Sequence, residues 1–174
     1  INFLTSISST SYNVSQILNL NWKIENEKKE ILNYSVQKAV TNYGGRKWIA
    51  WFSSDIPIQD GPYKFYNLPG LILKIEDSNQ NHIFEIKAIQ KTSKNFIYPQ
   101  NKNISETNIS YLQYEKIYKK YRKEPIADII DRVTDATDSN GNIIPKSQII
   151  REVEASVLKI IKKDNNLIEI DLLK

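Results

Sequence analysis

Few residues in this 174-residue chain could do chemistry. His82 is the only histidine and there is no cysteine. A zinc site or a Ser-His-Asp triad would rest wholly on that one imidazole, where a turn meets a strand. His82 is better read as a polar strand-edge residue. The carboxylates Asp128, Asp131, Asp135 and Asp138, followed by "SNGN", suggest a calcium loop. Aligned on Gly141, Asp138 and Asn140 fall at the third and fifth ligand positions and Ile143 where the loop's aliphatic belongs. The first and last ligand positions are then Ala136 and Ser147, where Asp and a bidentate Glu are needed. An Asp/Asn/Gly turn between helices is the plainer reading. Asp55 and Asp60 flank Pro57, but sequence separation does not set their distance. With five glycines in the chain, no phosphate-cradling loop is evident. No metal and no cofactor is expected, and the chain reads as non-enzymatic.

Tyr111, Tyr114, Tyr118 and Tyr121 recur at helical spacing. Such a stripe could form a sugar or ligand surface, or the edge of a core with rings buried and hydroxyls wet. Core edge is favoured, with Lys116, Lys119, Lys120 and Lys123 as the solvated face. A second aromatic set, Trp48, Trp51, Phe52, Tyr63 and Phe65, surrounds an irregular stretch. It forms a candidate ligand or partner surface.

These residues need a scaffold. "QILNLNWKIE" alternates Leu18, Leu20, Trp22 and Ile24 against polar residues, a half-buried strand. "NEKK" is expected as a turn, "EILNYSVQKAVT" as the next strand, and "NYGG" as a hairpin closed by two glycines. "RKWIAWFS" is apolar on both faces: Trp48, Ala50 and Phe52 on one, Ile49 and Trp51 on the other. It is therefore central in a sheet. "LILKIE", with Leu71, Leu73 and Ile75 on one face, then the turn "DSNQN" and "HIFEIKAI" complete a five-strand meander over residues 16–91. Residues 1–15 read as a lead-in or as a strand lacking its partner, and 92–108 as a polar loop. Helical periods run through 109–163, and "LIEIDLL" closes the chain as a strand over 167–173. The expected class is α+β: an antiparallel, curved sheet with two to three C-terminal helices, in one domain over 1–174.

Composition agrees with a globular domain: 40% hydrophobic and 25% charged residues, with formal net charge +4. The lysines are scattered, which argues against a nucleic-acid face. No apolar run approaches the ~18 residues of a membrane span. The chain has no methionine and opens "INFLTSISST", so a processed or truncated product is expected, with any signal peptide upstream.

Between the third and fourth strands lies "DGPYKFYNLPGLIL" (60–73). Pro69 presets φ for the second position of a turn and Gly70 supplies the positive φ that the third position of type II requires. Gly61-Pro62 is a second break. This stretch resembles the GLPGLI family, secreted or periplasmic proteins of unknown function from Gram-negative bacteria. "W-x-I" at Trp22–Ile24, "ILNYSVQKA", "GRKWIAWF", "DIPIQDGPYKF" and "NLPGLIL" stand in that family's order. "KKDNNLIEI" is similar to its closing segment. The match covers about residues 20–91 and the last dozen. Its motif positions here are Gly61, Pro62, Leu68, Pro69, Gly70, Leu71 and Ile72, mainly structural. Asn67 replaces the motif's first glycine, which a positive-φ turn tolerates. Val36 stands where family members often carry a cysteine, so any ligand or redox role of that thiol is lost.

The resemblance implies an envelope location, periplasmic or at the outer membrane, and family members are often associated with outer-membrane transport genes. Three functions compete. The first is a non-enzymatic protein binding an apolar ligand or a partner protein on its sheet. The second is an accessory subunit of an outer-membrane transport system, docking through a sheet edge. The third, least supported by the residue inventory, is a carboxylate/Tyr hydrolase.

Overall fold

The computed structural model describes residues 1–91 and 106–174. Most of the loop expected over 92–108 therefore lies outside the described residues. The chain divides into two units, each with its own sheet. One comprises Ile17–Lys102 and Ile168–Asp171, the other Ile1–Gln16, Asn103–Leu167 and Leu172–Lys174. The class is α+β, and no helix among the described residues is long and apolar enough to cross a membrane.

The first of these units carries the expected meander: β3 (Lys23–Ile31), β4 (Tyr34–Tyr43), β5 (Arg46–Ser53), β6 (Leu71–Asp77) and β7 (Ile83–Glu85). All neighbours pair antiparallel, in sequence order. Gly44 and Gly45, both at positive φ, close the β4–β5 hairpin as expected. The preceding hairpin turns elsewhere. "NEKK" lies inside β3, and the turn is Leu32-Asn33, with φ of 51° and 64°. Asn tolerates that region and a leucine does so at a cost, so the signal for this turn was weak. The ladder slips between Ile24 and Lys28. Across the slip, Lys38 Nζ pairs with Glu27 at 2.7 Å and with Glu25 at 3.3 Å. That explains a lysine amid the apolar positions of β4.

Residues 16–22, expected as strand, make no ladder, yet they pack where the alternation put them. Leu20 is buried in the core beside Leu18 and Trp22. Thr41 Oγ1 donates to the Asn21 carbonyl at 3.1 Å. The faces of β5 are as expected: Trp48, Ala50 and Phe52 join one core cluster and Trp51 another, with Val36 and Leu73. The faces of β6 are not. Trp51 pairs with Lys74 but Phe52 with Ile72, leaving Leu73 as an extra residue. This bulge reverses the alternation. Ile72 and Ile75 therefore share the Trp48 face, while Leu73 crosses to Trp51.

The other unit has β1 (Asn2–Ile7) and β2 (Thr10–Ser15) as a hairpin, with β8 (Glu106–Ser110) parallel to β2. Residues 1–15 thus form their own hairpin, and the second neighbour of β2 comes from the end of the expected loop, a pairing too distant to read locally. Helix α1 (Tyr111–Lys123) follows at once. Ser110 caps it, and Gln113 returns the hydrogen bond to close a capping box. A two-stranded ribbon, β9 (Ala136–Thr137) and β10 (Ile143–Ile144), precedes α2 (Lys146–Lys163), which starts after Pro145 as expected. Arg122 Nη2 donates to the Ile161 carbonyl at 3.0 Å, tying α1 to α2. The expected helix over Ile126–Val133 shrinks to a 3-10 turn, Ile130–Arg132. The closing strand is likewise a 3-10 turn, Ile170–Leu173. Its alternation reflects side chains inserted into a packed site rather than a ladder.

At the end of β6, Asp77 is buried. Its Oδ2 accepts from Arg46 Nη1 at 3.2 Å and its Oδ1 from the His82 backbone N–H at 2.7 Å. Burial works to raise its pKa, but the hydrogen bonds and the Arg46 charge outweigh it and hold the carboxyl below its ordinary value. A carboxyl depressed in the fold adds stability above its unfolded pKa of about 4, and this is lost as pH falls through the folded value. Urea denaturation should therefore show Asp77→Ala losing about 3 kcal/mol at neutral pH. Asp77→Asn should show a shallower acid limb, and an unchanged limb would remove Asp77 from the account.

Candidate functional site

The loop between β5 and β6 holds most of the motif residues. Its backbone folds on itself: Phe65 N–H donates to the Pro62 carbonyl at 3.2 Å, and Ile72 N–H to the Asp60 carbonyl at 3.0 Å. This drives Phe65 and Leu68, each 1% exposed, against Trp48, Ala50, Phe52 and Ile75. The Phe65 ring lies 4.6 Å from that of Trp48 and 5.7 Å, edge-on, from that of Tyr43. Tyr66 reaches outward, its hydroxyl donating to the Leu18 carbonyl at 2.6 Å while its own carbonyl accepts from Trp22 Nε1 at 2.9 Å.

Gly70 is needed for a different reason from the one its sequence context suggests. Its φ is 154°, far from the type II value, and Asn67 takes the left-handed turn at 70°. A Cβ on Gly70 would lie 2.0 Å from the Ser53 carbonyl oxygen. The glycine lets the returning chain cross β5 at backbone contact.

Tyr63 and Lys64 face the chain's end. Lys64 Nζ donates to Glu169 Oε1 at 2.6 Å, and the Tyr63 hydroxyl donates to the same oxygen. Lys64 and Glu169 are both buried, while Tyr63 is 49% exposed and sits at φ 58°. A Cβ on Gly44 would lie 2.8 Å from Glu169 Cα, so the β4–β5 hairpin receives Glu169 where only a glycine fits. An ammonium, a phenol and a carboxylate are the ingredients of acid-base chemistry. Here they fasten residues 168–171 to the loop.

The five aromatics expected to form one ligand or partner surface are divided by the sheet. Trp48, Phe52 and Phe65 are core, on a face closed by the chain's own loop. Trp51 is buried on the opposite face, with Lys29 Nζ 3.8 Å from its ring centroid. Only Tyr63 is exposed. His82 stacks loosely on Trp48, centroids 6.2 Å apart, and its Nε2 is buried with no hydrogen-bond partner. Asp138 spends its carboxylate on its own turn, accepting from the Asn140 and Asn142 backbone N–H groups and from Asn142 Nδ2. Those Asn142 bonds, foremost, hold it below its ordinary pKa. The tyrosine stripe is core edge at Tyr114, whose ring meets Phe3 edge-on at 5.6 Å. At Tyr118 it is a tether, donating to Asp164 at 3.5 Å.

The open feature of the meander unit is one that alternation alone did not reveal. A groove of about 510 Å³ runs beside β7. Ile83, Phe84 and Ile86 form one wall, Leu71–Leu73 the floor, and Asp60–Pro62 the other wall. Ile83 is 51% exposed, and no described strand pairs with the outer side of β7. The opposite edge, β3, is "KIENEKKEI", in which six of nine residues are charged, with both signs interspersed. Charge of that kind blocks strand addition. The unequal edges were a readable signal: "HIFEI" has an apolar residue at every second position but no lysine before residue 87.

A family model matches part of the chain. It is described as "Protein of unknown function (Porph_ging)" and covers residues 43–74, from the β4–β5 hairpin through the loop into β6. That span contains the core-filling residues Phe65 and Leu68 and the close crossing at Gly70. No curated protein matches the chain. Two solved structures of PNGF-II are similar to it. In the C2 crystal form the identity is 22% over 62% of this chain, with a TM-score of 0.42. In the P21 form it is 24% over 63%, with a TM-score of 0.41. The chain spans about a fifth of the PNGF-II chains, 20% in each case.

If the loop is the cover of the core, Phe65→Ala should lower stability to urea by about 3–5 kcal/mol. Tyr63→Phe, which removes only a phenol bond to Glu169, should lose about 1 kcal/mol. Equal effects of the two substitutions would refute the distinction.

Proposed function

We propose that this chain is a non-enzymatic cell-envelope protein that receives an extended segment of a partner protein at the β7 edge of its sheet. The carrying observation is the contrast between the two edges. β3 is barred by charge, whereas β7 is short, apolar and flanked by a groove. An added strand gains main-chain hydrogen bonds from the edge and side-chain pockets from the groove. The interior face cannot serve, because Phe65 and Leu68 already fill it. The groove carries Asp60 and Glu85, and Asp60 has no cation within ion-pair distance among the described residues. The fitting occupant is therefore an apolar strand bearing a lysine or arginine. The resemblance of "DGPYKFYNLPGLIL" to the GLPGLI family supports an envelope location. It also favours a component of an outer-membrane transport assembly as the partner.

A displayed library of linear peptides, panned against the whole chain, should enrich alternating apolar sequences with a basic residue. Enriched peptides should slow amide exchange at residues 83–86 and lose about tenfold in affinity to Ile83→Lys, a change of about 1.4 kcal/mol. Lys28→Ile on the β3 edge should leave that affinity unchanged. Protection at β3 instead, or peptides indifferent to Ile83→Lys, would overturn the reading. Fractionation of the native host should recover the chain with the envelope, and recovery in the cytosol would remove the location.

A further inference from the structure

A second cavity, wholly within the unit that contains α1, is used by nothing described so far. It measures about 320 Å³, at the small end of the range for small-molecule clefts. Its apolar base is Ile7 of β1 and Ile117 of α1, and its walls carry Tyr12 of β2 and Tyr121 of α1. Thr10, Lys120, Glu124 and Asp128 bring one hydroxyl, one ammonium and two carboxylates to the same space. Ile117, Lys120 and Tyr121 share a face of α1, and Glu124 is the residue that caps its C-terminal end. Asp128 follows beyond Pro125, where the helix has ended.

Among the described residues, Thr10, Tyr12, Lys120, Tyr121, Glu124 and Asp128 make no side-chain hydrogen bond or ion pair. Elsewhere on α1, Glu115 holds Lys119 at 2.6 Å and Arg122 holds the Ile161 carbonyl at 3.0 Å, while Lys116 and Lys123, like the cavity residues, make no ion pair among the described residues. The last tyrosine of the stripe is unlike the others. Tyr114 packs on Phe3 and Tyr118 is bonded to Asp164, whereas Tyr121 borders open space.

Charge narrows the ligand. Two carboxylates disfavour an anion, and an ammonium at the same rim disfavours a cation. A neutral molecule meets no repulsion from either sign, provided it has an apolar face for the tyrosine rings, hydroxyl donors for Glu124 and Asp128, and an oxygen acceptor for Lys120. A pyranose has all three: its axial C–H face stacks on aromatic rings, and its vicinal hydroxyls both donate and accept. We propose that this cavity binds a neutral sugar residue, with Tyr12 and Tyr121 as the stacking walls and Glu124, Asp128 and Lys120 as the polar contacts.

Saturation-transfer difference NMR on the whole chain tests this with methyl glycosides of glucose, galactose, mannose and N-acetylglucosamine. At least one should receive saturation, strongest at ring C–H protons. Asp128→Asn and Glu124→Gln, both at exposed positions where the fold has no stake, should each weaken binding about tenfold, as expected when a hydrogen bond to a charged group is lost. Tyr121→Leu should abolish the transfer while the circular dichroism spectrum is retained. The proposal is overturned if no glycoside receives saturation, or if the signal survives both carboxylate substitutions. It is equally overturned if tetramethylammonium or uridine binds there and no glycoside does.

Discussion

The meander unit depends on one packing event: the β5–β6 loop folds back and seats Phe65 and Leu68 on the sheet face made by Trp48, Ala50, Phe52 and Ile75. A five-stranded sheet alone would leave that face wet, with Trp48 and Phe52 the largest part of the loss. The surrounding features follow from the need to bring the loop home. Gly70 lets it cross Ser53 at backbone contact, Asn67 takes the left-handed residue of the turn, and Tyr66 and Trp22 pin the outer segment. Lys64 and Glu169 form a buried pair at the loop's other end. Burying such a pair seldom gains much stability, but it is selective about geometry, because either charge alone would be costly. Its role is to fix which segment closes the hairpin end of the sheet.

That dependence explains what a motif can and cannot say. Gly61, Pro62, Leu68, Pro69, Gly70, Leu71 and Ile72 mark a way of covering a sheet, and the aromatics around them are the cover and what it covers. Dense aromatic residues beside an irregular loop read equally well as a binding surface in sequence, since burial is a property of the fold. The same residues cannot both fill the face and leave it open for a ligand. Function must therefore be sought where side chains are not already committed.

The readable parts of the fold were those set by local chemistry. β5, β6, the Gly44-Gly45 hairpin, the turn after Asp77 and the start of α2 at Pro145 stand where turn residues and periodicity placed them. The losses have separate causes. The Leu32-Asn33 turn puts a leucine at positive φ, against its preference, while the charged run "NEKK" imitates a turn although it sits on a sheet edge where charges are wanted. The bulge at Leu73 shifts alternation by one, and a period-two reading cannot detect it from within a single strand. The parallel pairing of β2 with β8 joins residues about 95 apart in sequence, as Ser11 with Glu106, and such contacts leave no local trace. "LIEIDLL" alternates because Glu169 enters the Lys64 site while its neighbours face elsewhere, which a strand pattern cannot be told from.

The candidate sites were less legible than the fold, for a related reason. An edge becomes a docking site through what its neighbours leave uncovered, and the β7 groove needs Asp60–Pro62 as a second wall that sequence places more than twenty residues before Ile83. The tyrosine stripe was visible as a helical repeat, but its members are sorted only by what packs on them. Phe3 takes Tyr114 and Asp164 takes Tyr118, whereas Tyr121 faces the cavity. Lys120, Glu124 and Asp128 are exposed, so water satisfies them and folding leaves them available to a ligand. What the helical repeat alone could not show is that these groups gather at one cavity with an apolar base.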